Sequence, residues 1–113
     1  MNQILNLSNL RELTGGDIDL EKQLFNVFLD SSEECLSHLQ QTAGPNDAEQ
    51  WKRHAHAWKG ISLNLGAEKL ADICKNAQDQ YMTSPEEKQK ILRLLEQEYG
   101  LVKSALLSTN NSE

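Results

Sequence analysis

Apolar residues recur at helical spacing almost from end to end of this chain, and that regularity decides what it can fold into. Between Asp17 and about Thr42, Leu20, Leu24, Val27, Phe28, Cys35 and Leu39 fall three or four residues apart, or at sums of those steps. The spacing predicts one long amphipathic helix with these side chains inward. Trp51, Ala55, Trp58, Ser62 and Leu65 trace a second stripe, flanked by His54 and Ile61. Ala67, Leu70, Ile73, Cys74 and Ala77 trace a third, and Ile91, Leu94, Leu95, Val102 and Leu106 a fourth.

Stop signals separate the stripes. Gly15-Gly16 permits a tight turn after a short helix from about Ser8 to Leu13, with residues 6–13 covering one end of the fold and Asp17 as N-cap of the long helix. Ala43-Gly44-Pro45 ends that helix, and Asn46 followed by Glu49 reads as a capping box for the next, which Gly66 closes. At Thr83-Ser84-Pro85 the serine is the expected N-cap, the proline the first helical residue and Glu87 the capping-box partner. The polar tail from about Ser108 is expected to fray. Four substantial helices on short connections predict an all-α, antiparallel up-down four-helix bundle with a short extra N-terminal helix. All 113 residues are read as one domain, long enough to bury roughly 65% of its extended surface without a disulfide or structural metal. Sparse glycine, proline and aromatic residues argue against an all-β sandwich.

Charge narrows the partners. Seventeen acidic against eleven basic residues give a net charge of −6 with no basic run, which disfavours nucleic acid and anionic membranes. No apolar stretch approaches the ~20 residues that span a bilayer, and the N-terminus lacks a basic start and a continuous apolar run, so a cytoplasmic protein is expected. Cys35 and Cys74 stand singly within apolar stripes and are expected to be buried and reduced.

One segment is chemically distinctive, Arg53-His54-Ala55-His56-Ala57-Trp58-Lys59-Gly60. At about 100° per residue, Lys59 and Gly60 share a side with His56, whereas His54 points about 160° away from it. The two histidines cannot act together, and the third, His38, belongs to another helix, so no metal site is expected. Because the inward stripe uses Trp51, Ala55 and Trp58, His56 falls on the polar side beside Lys59. His54 is expected to pack against Trp51 or Trp58. A neutral imidazole is a competent nucleophile, and an ammonium three residues along can balance an arriving phosphoryl group. Gly60, mid-helix on the exposed side, suggests close approach by another protein.

His56-Ala57-Trp58-Lys59-Gly60, with Ser62, Gly66-Ala67, Leu70 and Cys74, resembles the signature of histidine-containing phosphotransfer (HPt) domains of two-component phosphorelays. Leu13-Thr14-Gly15-Gly16-Asp17, followed by Leu20, Leu24 and Phe28, is similar to the family's N-terminal segment. The resemblance implies that His56 is the phosphoacceptor through Nε2 and that Lys59 stabilises charge. It gives Gln78 contact with the histidine or its phosphoryl group, and Gly60 and Leu63 the docking of a partner. Ile61 stands where many members have a small residue, and Trp58 is bulkier than the usual aliphatic. The implied partners are receiver domains of a hybrid sensor kinase and of a response regulator, visited by a monomer. No cofactor of its own is implied, since the receiver brings Mg²⁺. No phosphate-binding glycine loop is present, so the chain is expected to be a stoichiometric carrier without an ATP site. Two alternatives remain: a helical interaction module that accepts no phosphate, and the phosphoacceptor domain of a larger hybrid or chemotaxis-type kinase. The initial Met and polar tail favour a free-standing protein.

Overall fold

The computed structural model describes residues 7–111. Five helices follow one another, α1 (Ser8–Thr14), α2 (Ile18–Gln41), α3 (Ala48–Leu65), α4 (Glu68–Asp79) and α5 (Pro85–Asn111). Each of the last four packs on its neighbour in the chain, and α5 closes back on α2, so they form a four-helix ring with α1 lying against α2 and α3. The diagonal pairs, α2 with α4 and α3 with α5, have no Cα atoms within 8 Å of one another. Among the described residues, no helix is long and apolar enough to cross a membrane.

α3 is pinned from both sides by its tryptophans. Trp51 and Trp58 are fully buried, each removing about 5 kcal/mol worth of apolar surface from water. Burial obliges each indole N–H to find an acceptor. Trp51 Nε1 donates to the Ala77 carbonyl on α4 at 2.7 Å, and Trp58 Nε1 donates to Ser32 Oγ on α2 at 2.9 Å. Tyr99 of α5 meets the edge of Trp58 at 5.9 Å between ring centroids and donates its hydroxyl to Glu33 at 2.9 Å. The ammonium of Lys88, itself buried, lies 5.2 Å from the centre of the Trp51 ring.

Several boundaries form as expected. Gly15 and Gly16 take φ of 62° and 82°, and Asp17 caps α2 by accepting from the Leu20 N–H at 3.1 Å. Gly66, at φ 88°, ends α3 while the Ala67 N–H reaches back to the Ser62 carbonyl, a left-handed cap that a Cβ would strain. Ser84 Oγ accepts from the Glu87 N–H at 3.2 Å, although the Glu87 carboxylate turns to Lys90.

Other expectations are corrected. The capping box at Asn46 and Glu49 does not form. A turn from Gly44 to Asp47 absorbs Asn46, Asp47 takes the N-cap place without a side-chain bond, and its carboxylate lies in the field of Lys88 instead. Leu20, Val27 and Leu94 face outward, Val27 being 60% exposed. The inward positions of α2 are Glu21, Phe25, Phe28, Ser32, Cys35 and Leu39, because bringing Ser32 to Trp58 turns Val27 to the rim. Leu94 yields to Leu92 and Leu95, which occupy the core side of α5. α5 continues through Asn111, each added residue closing one more backbone bond with no glycine or proline to stop it. The expected cover over residues 6–13 is described from Leu7 onward, Asn6 lying outside the described residues.

Cys35 and Cys74 are buried free thiols. They sit on the diagonal pair α2 and α4, beyond the Cα separation of about 7 Å that a disulfide tolerates. Burial pushes the Cys74 thiol up to about 12, which leaves it unreactive in the folded protein.

Two buried serines should respond oppositely to the same substitution. Ser32→Ala would orphan the Trp58 N–H and should cost about 1–3 kcal/mol. Ser62 Oγ is buried without a hydrogen-bond partner among the described residues, the Cys74 thiol beside it falling short of bonding geometry. Ser62→Ala should therefore be neutral or stabilising. Thermal melts of the two variants check this, and equal losses of stability would contradict the hydrogen-bond assignment.

Candidate functional site

With Trp51, Ala55, Trp58, Ser62 and Leu65 turned inward, helical geometry carries His56 about 140° round to the outside. Lys52 and Arg53 precede it by one turn, Lys59 and Gly60 follow by one turn, and Leu63 extends the same face. His56 is exposed, and its Nδ1 lies 3.3 Å from Gln78 Oε1, in the last turn of α4. The preceding residue is Ala77, whose carbonyl receives the Trp51 indole, so the bond that orients α3 also holds the turn that presents Gln78.

This contact selects a tautomer. A carbonyl oxygen only accepts, so a neutral imidazole bonded to it carries its proton on Nδ1 and leaves an unshared electron pair on Nε2. Glu49, Lys52, Arg53, His56 and Gln78 line an open cleft of about 310 Å³, the space of roughly ten waters. The Lys52 ammonium stands 4.6 Å from the centre of the Tyr81 ring, just beyond α4. Lys59 lies outside the cleft lining, half-exposed, with no ion pair among the described residues. A Cβ added to Gly60 would meet nothing within 4 Å, and Leu63 is 52% exposed.

The structure thus brings His56 and Gln78 together and sets Lys59, Gly60 and Leu63 along one face of α3. Sequence reasoning passed over Lys52 and gave Arg53, the first residue of the distinctive segment, no role, although positions four and three residues before His56 follow from the same helical arithmetic. It also missed Tyr81, for which no periodicity speaks because it follows the end of α4.

His54 is corrected. Its ring stacks on His38 of α2, centroids 4.4 Å apart and planes within 7°, and not on a tryptophan. Both indoles point inward, whereas His54 faces α2. The two imidazoles lie face to face, and no three His, Cys, Asp or Glu side chains among the described residues are grouped to hold a metal. Ile61 is half-buried and lines an apolar groove with Leu10, Leu24, Val27 and Asn64, on the α2 side of α3. It therefore leaves the open side of Gly60 unobstructed.

The fold agrees with a family already known. The Hpt domain model matches residues 23–105, and the chain belongs to that family, whose members are histidine phosphotransfer carriers of phosphorelays. Among solved structures it is similar to the crystal structure of histidine-containing phosphotransfer protein B (HptB) from Pseudomonas aeruginosa PAO1. That match has 25% sequence identity and a TM-score of 0.86, over 100% of this chain and 99% of the other. No curated protein sequence matches the chain significantly. Family membership also establishes two-component signalling proteins, receiver domains among them, as the class of partner.

The stacked pair generates a pH dependence. Burial first, then His38 and Arg53, holds the His54 imidazole below the ordinary histidine range, with Glu34 opposing. The unfolded chain, titrating near about 6.5, takes up the proton more readily than the folded one. The associated stability is present above that pH and is lost as the pH falls through the lower folded value. Acidification from about pH 7 to about pH 5.5 should lower the melting temperature of the wild type more than that of His54→Phe. Equal slopes would show that the pair contributes nothing to acid sensitivity.

Proposed function

We propose that His56 takes a phosphoryl group from the aspartyl phosphate of a receiver domain in a hybrid sensor kinase and passes it to the aspartate of a response regulator. The observation that carries this reading is an exposed imidazole whose Nδ1 is engaged by Gln78 while Nε2 remains open to a partner. As the Nε2 pair forms the N–P bond, the acyl P–O bond breaks and its electrons leave with the receiver carboxylate. The ring becomes an imidazolium that keeps its Nδ1–H on Gln78, so no proton has to be removed. Transfer onward is the same step reversed, with a second carboxylate as nucleophile.

Lys59, one turn from His56, offers positive charge to the phosphoryl group as it passes between the proteins. The remaining electrostatic stabilisation belongs to Mg²⁺ bound by the receiver. Open space at Gly60 and the exposed side chain of Leu63 make the next turns of α3 the docking face. A face that must be free for successive partners suits a monomer, and two free thiols suit the reducing cytoplasm.

His56→Gln should abolish acid-labile phosphorylation by a phosphorylated receiver while leaving helical circular dichroism nearly unchanged, since an exposed side chain contributes little to the core. His54→Gln should retain transfer. Uptake by the His56 variant, or its loss in the His54 variant, would overturn the assignment.

Glycine at position 60 separates docking from folding. Gly60→Gln should stabilise the free protein by up to about 1 kcal/mol, because a helix former replaces a flexible residue in open space. The same change should slow transfer from a receiver. Gly100, equally unobstructed on α5, supplies the control, since Gly100→Gln should raise the melting temperature without affecting transfer. Normal transfer by the Gly60 variant would remove Gly60 from the interface.

A further inference from the structure

We propose that Lys52 is a phosphoryl-binding residue of this carrier, and that the cleft shared by Glu49, Lys52, Arg53, His56 and Gln78 is where the phosphoryl group on His56 Nε2 rests between partners. This inference rests on the reading of His56 as the acceptor and says where the group goes once accepted.

Gln78 occupies Nδ1, so the phosphoryl group is carried on Nε2, by a ring that forms part of the cleft wall. On the α3 wall of the cleft, Lys52 and Arg53 stand one turn before His56. Lys59, the cation that sequence reasoning singled out, stands one turn after it and outside the lining. Of the two cleft cations, Lys52 is half-buried and has its ammonium held over the Tyr81 ring. Arg53 is exposed and has no ion-pair partner among the described residues. A lysine already restrained loses less conformational freedom on meeting an anion. The ring engages the ammonium through its π face and adds no negative charge to cancel it. Glu49 is the one carboxylate in the lining and must act against the anion, which makes the charge reading testable in both directions. Lys52 and Lys59 then divide the work: Lys52 steadies the group in the free carrier, and Lys59 meets it on the side where a partner docks.

The full chain is phosphorylated with phosphoramidate, whose P–N bond breaks as Nε2–P forms and ammonia departs. The ³¹P resonance of the product is then titrated. A cation beside the phosphoryl group lowers the pH at which it gains its proton, and a carboxylate raises it. Lys52→Met should shift this titration up by about half a pH unit, and Lys52→Arg should restore it. Tyr81→Leu should shift it upward by less, Glu49→Gln should shift it downward, and all the shifts should shrink in high salt. A substitution that merely loosened the fold would not give opposite signs at Lys52 and Glu49. If phosphohistidine forms at position 56 in every variant but Lys52→Met and Glu49→Gln titrate like the wild type, the Lys52 assignment is overturned while the acceptor reading stands. If the wild type carries no phosphoryl group on His56, the acceptor reading falls and this inference with it.

Discussion

Two buried indole N–H groups govern this structure. Trp51 and Trp58 lie seven residues apart on the same side of α3, yet their donors leave in different directions, one to the Ala77 carbonyl of α4 and one to the Ser32 hydroxyl of α2. Rotating α3 in either direction breaks at least one of these bonds inside the core, where an unmet donor costs about 1–3 kcal/mol. Apolar packing alone tolerates small rotations, because contact between hydrocarbon surfaces has little directionality. The indoles do not, and the helix is held at one angular setting. Everything outside follows from that setting: His56 faces the end of α4, His54 faces His38, and Gly60 opens to solvent.

The same constraint resolves an apparent contradiction in the charge. A net charge of −6 works against binding a dianionic group. Yet three of its eleven basic residues, Lys52, Arg53 and Lys59, fall within one turn of His56 on a single face, with Glu49 the opposing charge there. Positive potential is thus local, created by helical register in a protein that remains acidic elsewhere. Long-range attraction to polyanions stays weak, while an anion seated at His56, as proposed above, would share its cleft with two cations.

Most of the fold was legible in the sequence because it is written in periodicity and punctuation. Gly15-Gly16, Gly66 and Ser84-Pro85 each mark a boundary by a backbone requirement that no distant contact alters. Orientation within the bundle was less legible. Val27 and Leu94 satisfy the apolar pattern but lost their inward places to positions fixed by tertiary bonds, and buried Ser32, Lys88 and Glu98 look like surface residues to any pattern of hydrophobicity. The site divides along the same line. Lys59 and Gly60 were readable from register alone, as Lys52 and Arg53 would have been. The contact between His56 and Gln78 was implied by resemblance and needs the packing of α4 on α3 to exist. Tyr81 and the stacking of His54 on His38 join different elements, and nothing local announces such pairs.

If His56 is the acceptor, as proposed, the chemistry of Gln78 bears on how the site would carry a phosphoryl group without keeping it. A carboxylate at this position would also hold the proton on Nδ1, but it would stabilise the imidazolium of the phosphorylated ring and place a negative charge near the phosphoryl oxygens. The neutral amide sets the tautomer through a dipole and does neither to the same degree. On the proposed reading, stabilisation would fall chiefly on the phosphoryl group, through the cations of the cleft, and only slightly on the ring that must become the leaving group. That distribution suits a reversible carrier. Cations facing the phosphoryl oxygens would be replaced, as the group moves across, by those of a receiver and the Mg²⁺ it is proposed to bring. A charge fixed behind the ring has no such replacement and would hold the group on the histidine.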